Sequence, residues 1–236
     1  MHSKPFQFKQ FTIRQDKTAM KVGTDGVLLG AWVDLGHNPE SILDIGTGTG
    51  LIALQLAQRS NCQIIDALEI EPNAFEQAVE NFENSNWGDR LFCYHASIDD
   101  FANEIDDTYD LIISNPPFYN STYKELEQKR ALARHTKSLT FERLLNLTSK
   151  LLSKKGTCAF IIPSQEESEF LELAAGNNLF PLRITRVKGN IKTNFKRTLL
   201  QLGHAKSSPK TNELAIEIER HVYTVEYKNL VGDFYL

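Results

Sequence analysis

Residues 41–59, "SILDIGTGTGLIALQLAQR", join a strand pattern to a helix pattern through a loop of alternating glycines. "SILDI" is an apolar run of the length of a buried strand, and "LIALQLAQR" places apolar residues on one face of a helix. Gly46, Gly48 and Gly50 lie between the two, where the backbone turns and can approach a ligand closely. This stretch therefore predicts the strand–loop–helix unit of an α/β ligand-binding fold.

Strand and helix patterns continue to alternate along the chain. After "SILDI", the patterns predict strands at 63–70, 91–97, 109–114 and 157–163, and helices at 51–59, 71–85, 140–152 and 164–178. "PLRITRVKG" and "RTLLQLGHA" are predicted to form a terminal strand pair, and "ELAIEIERHVYT" a further strand followed by a short turn or helix. Such alternation predicts a mostly parallel sheet with helices on both faces, which binds ligands at the carboxyl ends of its strands.

The spacing of the glycines distinguishes between two kinds of ligand. A dinucleotide site requires G-x-G-x-x-G, whereas this loop reads G-x-G-x-G and has Leu51 where the third glycine would stand. Asp44 precedes the first glycine by two residues, and its carboxylate would repel a pyrophosphate but attract an ammonium or sulfonium group. The loop therefore favours S-adenosylmethionine, which has no phosphate, over a dinucleotide.

Two further strand ends are candidates for contact with the same cofactor. Glu69 ends the second strand about 20 residues after the loop, where an acid can accept both ribose hydroxyls. The alternative is a structural turn followed by a solvated acid. Ser97, Ile98 and Asp99 follow the third strand and either frame the adenine of the cofactor or cap the next turn.

A second motif closes the fourth strand, "YDLIISNPPFYNS" (109–121). Proline fixes φ and lacks a backbone donor, so Pro116 and Pro117 end the strand rigidly. The Asn115 side-chain oxygen and the Pro116 carbonyl could each accept one hydrogen of an exocyclic amine, which would localise its lone pair for attack on a methyl group. Phe118 or Tyr119 could stack on a planar base. The motif predicts transfer of a methyl group to an amino nitrogen.

Composition excludes several other classes of protein. The chain has 236 residues, of which 41% are hydrophobic, but its apolar runs are too short to span a membrane. The N-terminus lacks the apolar core of a signal peptide, so we expect a cytoplasmic protein. Cys62, Cys93 and Cys158 are far apart and include no CxxC pair, which favours buried reduced thiols over a zinc or redox site. We expect no metal and no membrane partner.

Positive charge is concentrated in one part of an acidic chain. The net charge is −4, yet residues 183–210 contain eight Lys or Arg and no Asp or Glu. The first 24 residues form a smaller basic zone. Such segregation is typical either of a solvated face or of a surface that binds phosphates. The candidates for phosphate contact are Arg186, Lys188, Lys192, Lys196 and Arg197.

Several segments together resemble one family along essentially the whole chain. "DIGTGTG" followed by "NPPF" looks like the class I S-adenosylmethionine-dependent amino-methyltransferases. "FTIRQDKTAMKVGTDGVLLGAW" (11–32), "RHTKSLTFERLL" (134–145) and "FKRTLLQLG" (195–203) narrow the resemblance to the bacterial tRNA1(Val) (adenine-37-N6)-methyltransferases. Within these segments, "KVGTDGVLLGAW" is the most specific signal.

The resemblance implies a fold, a substrate and a set of roles. It implies a Rossmann-like α/β class I methyltransferase fold, with a seven-stranded, mostly parallel sheet whose last strand is antiparallel. It also implies N6-methylation of an adenine in a tRNA anticodon loop. We expect one domain, 1–236, in which 1–40 closes the cofactor pocket and 41–236 is the catalytic core, acting as a monomer on tRNA.

The roles carry over residue by residue. The residues expected to contact the cofactor are Lys21, Thr24, Asp25, Asp44, Gly46, Gly48, Gly50, Glu69, Ser97, Ile98 and Asn115. The residues expected to act on the target amine are Asn115, Pro116, Pro117 and Phe118. Two residues at or after the motif are candidates for RNA contact, Tyr119 and Arg134. Arg134 belongs to a basic group with Arg130 and His135, and this group suits a helix surface equally well.

Three alternatives share parts of this pattern. A glutamine methyltransferase of a release factor uses a similar NPPY site, but such enzymes carry a larger helical N-terminal domain than the 40 residues here. An N6-adenine methyltransferase of ribosomal RNA or DNA has the same motif. A non-catalytic RNA-binding protein on this fold is disfavoured because Asp44, Glu69 and Asn115 are all present.

Overall fold

A computed structural model describes residues 4–117 and 139–235. Its strands are β1 Phe6–Gln7, β2 Thr12–Ile13, β3 Ser41–Ile45, β4 Ile64–Glu69, β5 Leu91–His95, β6 Tyr109–Ser114, β7 Leu152–Pro163, β8 Phe180–Asn190, β9 Arg197–Gly203, β10 Lys210–Glu219 and β11 Val222–Tyr223. Its helices are α1 Thr24–Trp32, α2 Leu51–Arg59, α3 Pro72–Glu83, α4 Ile98–Glu104, α5 Phe141–Leu151, α6 Glu167–Gly176 and α7 Val225–Val231. No helix in these two ranges is long and apolar enough to cross a membrane.

The predicted α/β architecture is confirmed. Strand β6 has the predicted bounds, and helix α2 does as well. Within the described ranges the main sheet has the order β11-β10-β8-β9-β7-β6-β3-β4-β5. Strands β5, β4, β3, β6 and β7 pair in parallel, and β9 lies antiparallel between β7 and β8. Seven neighbouring strands of the sheet therefore have the expected directions, and β9 is the antiparallel one; in sheet order they are β5, β4, β3, β6, β7, β9 and β8.

The sheet differs from the expected seven strands at one edge. Strand β10 pairs in parallel with β8, and the two-residue β11 pairs with β10. The physical reason is a buried apolar face on β10: Leu214 is buried opposite Val187 of β8, and Ile216 packs against the same core. Helix α7 follows and covers this face with Tyr227 and Val231. The described sheet thus has nine strands: the seven that the resemblance implies, β10, which the pattern of "ELAIEIERHVYT" predicts as a further strand, and the two-residue β11.

Two hydrophobic cores lie on opposite faces of the sheet. Neighbouring residues of β3 divide between them, with Ile42 in one core and Leu43 in the other, as the period of a strand requires. Helices α1, α2, α3 and α7 cover the first face, and α4, α5 and α6 cover the second. Thr140 caps α5 by accepting a hydrogen bond from the Arg143 backbone N–H, as its position before the helix predicts.

The first 40 residues contain a helix that the strand and helix patterns did not predict. Residues Gly26–Trp32 of α1 are all buried, so the helix has no polar face to reveal it by amphipathic periodicity. Helix α1 packs against α2 with Gly30 facing the fully buried Gln55. A Cβ atom at Gly30 would lie 2.3 Å from Gln55 Oε1 and 3.1 Å from Gln55 Cβ. The absence of a side chain at Gly30 sets the distance between these two helices.

We predict that Gly30→Ala lowers the free energy of unfolding by about 1–3 kcal/mol, because overpacking displaces Gln55 from its hydrogen bond to the Val27 carbonyl. The matched control is Gly176→Ala at the end of α6, where an added Cβ meets nothing within 4 Å. The control should be neutral or stabilising by up to roughly 1 kcal/mol. Urea unfolding measures both changes, and equal stabilities of the two variants would contradict the prediction.

Candidate active site

The site is formed where three parallel strands end side by side. Ile45 at the end of β3 lies opposite Leu68 of β4 on one side and Ser114 of β6 on the other. The glycine loop that follows β3 therefore lies between Glu69, the last residue of β4, and Asn115, the first residue after β6. The structure brings together the two motifs that stand about 70 residues apart in sequence, as the parallel arrangement predicts.

The glycine loop forms a backbone cradle. Gly46, Gly48 and Gly50 have φ angles of +73°, +59° and +81°, a region that side chains rarely adopt. A Cβ atom at Gly46 or Gly48 would meet nothing within 4 Å, whereas one at Gly50 would lie 2.5 Å from the Phe82 ring. Space next to Gly46 and Gly48 is thus open to a ligand, while Gly50 allows α2 to pack closely against α3.

Asp44 lies beneath this cradle and is fully buried. Its Oδ2 accepts a hydrogen bond of 2.6 Å from Thr47 Oγ1, but its Oδ1 is buried and accepts none from the part of the chain that the structure describes. Burial raises the pKa of Asp44 from 3.8 to about 7, although the Thr47 hydroxyl opposes that shift. A buried carboxylate oxygen without a donor suits a cationic or N–H-bearing group of a ligand.

Glu69 is held in place by backbone donors. Its Oε2 accepts from the Gly48 N–H, and its Oε1 from the N–H groups of Ile70 and Glu71, all at 2.9 Å. The side chain is 9% exposed, so it is almost buried at the rim of the cradle. Because a carboxylate has roughly four acceptor sites, three backbone bonds leave it able to accept a further hydroxyl. Glu69 therefore both fixes the glycine loop and presents an acceptor beside it.

The residues that follow β5 begin helix α4. Ser97 caps α4 by accepting from the Asp100 N–H, and its hydroxyl donates to Asp100 Oδ2 at 2.6 Å. Asp99 accepts from Arg143 Nε at 2.6 Å. The capping alternative for Ser97 is thus confirmed, while contact of Ser97 or the buried Ile98 with a cofactor stays a prediction.

Asn115 directly follows β6, and its side-chain oxygen is a buried hydrogen-bond acceptor. Asn115 Oδ1 is buried and accepts no hydrogen bond from residues 4–117 or 139–235. Pro116 is buried and Pro117 is exposed. Ser114, just before, donates from its hydroxyl to the Ile45 carbonyl at 2.8 Å and so ties β6 to the residue that precedes the glycine loop. An unpaired buried acceptor costs free energy unless a ligand supplies its donor.

Some of the predicted residues fall outside the described ranges. These are Phe118, Tyr119, Arg130, Arg134 and His135. Their proposed contacts with a base or with RNA therefore stay predictions from sequence.

The N-terminal residues predicted for the cofactor pocket make contacts within the protein. Lys21 Nζ donates to the carbonyls of Gln15 and Thr18, the latter at 2.7 Å. Thr24 is the first residue of α1. Asp25 Oδ2 accepts from Arg197 Nε at 2.8 Å, so a residue predicted for the cofactor pairs with one predicted for RNA. This ion pair joins the start of α1 to the start of β9.

Several basic residues of the stretch 183–210 form ion pairs with carboxylates from other parts of the chain. Arg186 makes a bidentate pair with Glu167, with Nε–Oε2 at 2.9 Å and Nη2–Oε1 at 2.6 Å. Lys188 Nζ lies 3.3 Å from Glu213. Lys192 and Lys196 are exposed in the β8–β9 turn, at the same edge of the sheet as the glycine loop. Among the five candidates, these two lysines are the better placed to meet a phosphate.

Two polar residues that hold the site were missed in the sequence. Thr47 bonds to Asp44, and Ser114 bonds to the Ile45 carbonyl. Each stands inside a recognised motif, where a hydroxyl next to a glycine or an asparagine is the only signal. Their partners, Asp44 and the Ile45 carbonyl, are fixed by the fold and not by sequence spacing.

Comparison with known proteins places the chain among methyltransferases. The family model described as "Methyltransferase small domain" matches residues 27–176. A tRNA1(Val) (adenine(37)-N6)-methyltransferase of Christiangramia forsetii is 58% identical over 238 residues, covering 100% of this chain and 99% of that one. An enzyme of the same name from Flavobacterium johnsoniae is 56% identical over 98% of this chain and 99% of its own.

Solved structures show the same fold at low sequence identity. A predicted O-methyltransferase from Agrobacterium tumefaciens is similar with a TM-score of 0.68 at 20% identity, covering 89% of this chain and 96% of that one. TYW2 of Pyrococcus horikoshii, solved in complex with MeSAdo, gives a TM-score of 0.58 at 13% identity and covers 84% of this chain and 69% of its own. The class I methyltransferase fold is thereby shown.

The raised pKa of Asp44 predicts a pH dependence of stability. Between pH 4 and 7 the native state keeps the Asp44 proton that the unfolded chain releases, so this group stabilises the fold at low pH and that contribution is lost as pH rises toward 7. From pH 5 to pH 8, the wild type should lose on the order of 2 kcal/mol relative to Asp44→Asn. Urea unfolding of both proteins at the two pH values measures this difference. Parallel pH profiles would show that Asp44 is already ionised at pH 5.

Proposed function

This chain belongs to the tRNA1(Val) (adenine(37)-N6)-methyltransferase family, and from that premise we propose that it methylates N6 of adenine 37 in the anticodon loop of a valine tRNA. The observation that carries the chemistry is Asn115, whose buried side-chain oxygen has no donor within the described ranges and lies beside the glycine cradle. The proposal for the substrate rests on the names of relatives that match this chain along its whole length.

The proposed cofactor is S-adenosylmethionine, which supplies a methyl group carried on a sulfonium. The fit rests on the open space at Gly46 and Gly48 and on the buried Asp44 Oδ1, which has no donor among residues 4–117 and 139–235. The residues proposed to hold it are Lys21, Thr24, Asp25, Asp44, Gly46, Gly48, Gly50, Glu69, Ser97, Ile98 and Asn115. We also propose that residues 1–40 close the pocket, that 41–236 form the catalytic core of one domain, and that the protein acts as a monomer.

Asn115 and Pro116 prepare the amine for attack. An exocyclic amine is a weak nucleophile because its lone pair is delocalised into the base. The Asn115 oxygen and the Pro116 carbonyl each accept one N–H, which turns the lone pair out of the ring plane. Pro116 and Pro117 fix the position of that carbonyl, so the acceptors need no reorganisation during the reaction. Phe118 and Tyr119 are proposed to stack on the flipped base.

The surface proposed to hold the tRNA is the β8–β9 turn with its exposed Lys192 and Lys196. The turn lies at the same end of the strands as Asn115, because β9 is antiparallel to both β7 and β8, so that β8 runs in the direction of β7. Arg186, Lys188 and Arg197 are partly neutralised by carboxylates and contribute less net charge. Tyr119 and Arg134 are proposed as further RNA contacts.

The function is tested with unmodified total tRNA from a strain that lacks the enzyme, methyl-labelled S-adenosylmethionine, and mass spectrometry of nucleosides. We expect N6-methyladenosine at position 37 of a valine tRNA. Label in ribosomal RNA or in a release factor instead would keep the chemistry and refute the substrate. No transfer to any of these acceptors would refute the proposed activity.

Asn115→Ala should reduce kcat by about 10²-fold or more while the affinity for S-adenosylmethionine stays within roughly threefold, because the acceptor acts mainly in the transition state. Asn146→Ala, which removes an exposed asparagine from α5, is the matched control and should leave both constants unchanged. Steady-state kinetics and calorimetric binding give the two constants. Parallel losses of turnover and cofactor affinity would make Asn115 a structural residue.

Reversing charge at both Lys192 and Lys196 to Glu should weaken tRNA binding by about tenfold and reduce its salt dependence by roughly one contact per lysine. Lys154→Glu with Lys155→Glu is the matched control, because these exposed lysines lie at the start of β7, the opposite edge of the sheet. Filter binding at several salt concentrations gives both quantities. Equal effects of the two double variants would argue for a general charge effect and against this docking surface.

A further inference from the structure

One buried side chain joins the N-terminal segment to the glycine loop. Asn81 on α3 is 2% exposed, and its amide makes three hydrogen bonds. Its Oδ1 accepts from the Arg14 N–H at 2.9 Å, and its Nδ2 donates to the Arg14 carbonyl at 2.9 Å and to the Thr49 carbonyl at 2.8 Å. Thr49 stands between the glycines at 48 and 50. Asn81 thus uses both of its amide hydrogens and one acceptor site on two segments far apart in sequence.

A second buried amide on the same helix holds the next part of the N-terminal segment. Gln77 is fully buried, and its Oε1 accepts from the Lys17 N–H at 3.0 Å. Its Nε2 donates to Glu80, which in turn accepts from Lys17 Nζ at 2.6 Å. Gln77 therefore contacts the N-terminal segment, and its hydrogen bonds do not include the glycine loop.

The same segment is fastened at its other end to β9. We name residues 14–25 the strap. Inside the strap, Val22 N–H donates to Gln15 Oε1 at 2.9 Å and Thr18 Oγ1 donates to the Met20 carbonyl. At its end, Asp25 pairs with Arg197, the first residue of β9. The strap therefore runs from α3 to β9 at the edge of the sheet where the glycine loop and Asn115 lie.

We infer that Asn81 is a positioning residue that couples the order of the strap to the conformation of the glycine loop, so that both walls of the cofactor pocket form together. The identity of the cofactor that fills this pocket rests on the proposed function, but the coupling between the strap and the glycine loop does not. Without the Asn81 amide, the Arg14 N–H, the part-buried Arg14 carbonyl and the buried Thr49 carbonyl lose these partners, which destabilises the present arrangement of the two segments. The strap and the loop then move apart to satisfy these groups, and a ligand must order them again on binding.

The coupling is tested with Asn81→Ala and Gln77→Ala in the full chain. Asn84→Ala is the matched control, since Asn84 directly follows the last residue of the same helix, is exposed, and has a side chain that donates only to the Glu80 carbonyl among its described contacts. Hydrogen exchange followed by NMR reports the Gly48 and Gly50 amides, which donate to Glu69 and to the Thr47 carbonyl. Calorimetry reports affinity for S-adenosylhomocysteine, and kinetics at saturating cofactor report kcat.

We expect exchange at Gly48 and Gly50 to accelerate about tenfold in both Asn81→Ala and Gln77→Ala, although Gln77 does not bond to the loop. Affinity for S-adenosylhomocysteine should fall about tenfold while kcat at saturating cofactor stays within roughly twofold, because the ligand restores the same pocket once bound. The control should match the wild type in all three measurements.

Unchanged glycine exchange in Gln77→Ala, together with faster exchange of the Lys17 amide, would overturn the inference, because the strap would then loosen without the loop. If Asn81→Ala does not fold, Gln77→Ala decides the question alone by the same criterion. Failure of the wild type to bind S-adenosylhomocysteine would refute the proposed cofactor, whereas the exchange measurements need no ligand and still decide the coupling.

Discussion

The register of β3 between β4 and β6 is the constraint on which the site depends. Hydrogen bonds on both sides of this strand fix Ile45 opposite Leu68 and Ser114. A slip of one residue would turn Asp44 to the other face of the sheet and separate the glycine loop from Glu69. The buried aliphatic residues of β3 oppose such a slip, because those on one face pack in the first hydrophobic core and those on the other face pack in the second. Ordinary hydrophobic packing thus sets the geometry of the polar groups.

The polar groups themselves oppose the stability of the fold. Asp44 Oδ1 and Asn115 Oδ1 are buried and each lack a donor within the described ranges, and three glycines hold left-handed backbone. Such features cost free energy in the absence of a ligand and recur where proteins bind or react. Within the described ranges, Gln55, Gln58, Asp66 and Thr148 also carry a buried side-chain oxygen without a hydrogen-bond partner. The proposed active site differs from those places in combining two such oxygens with three left-handed glycines.

Sequence patterns predicted most of the fold because the local signals for strands, helices and caps agree with the folded structure in most elements. The bounds of α2 and β6, the Thr140 cap and the antiparallel strand β9 were all predicted. Helix α1 was missed because it is buried on every side. The strand β10 was predicted, but its pairing with β8 was not, because the pattern of one strand does not reveal its neighbour in the sheet. In the site, the motifs were evident, but the Asn81 bonds and the Arg186–Glu167 pair join residues whose proximity only the folded chain creates.

The two strands added beyond β8 also determine how the sheet ends. An unpaired strand edge is a template for association with another chain. Here Glu213, Glu217 and Glu219 lie on one face of β10, with Ala215 between the first two, and β11 covers only the last part of β10 with two residues. A neighbouring strand that approached the uncovered first part of β10 would meet the charged side chains of Lys210 and Glu213, and then a covering strand of only two residues. The two last strands therefore make this side of the sheet a poor template for pairing, away from the ends of β3, β4 and β6 that form the site.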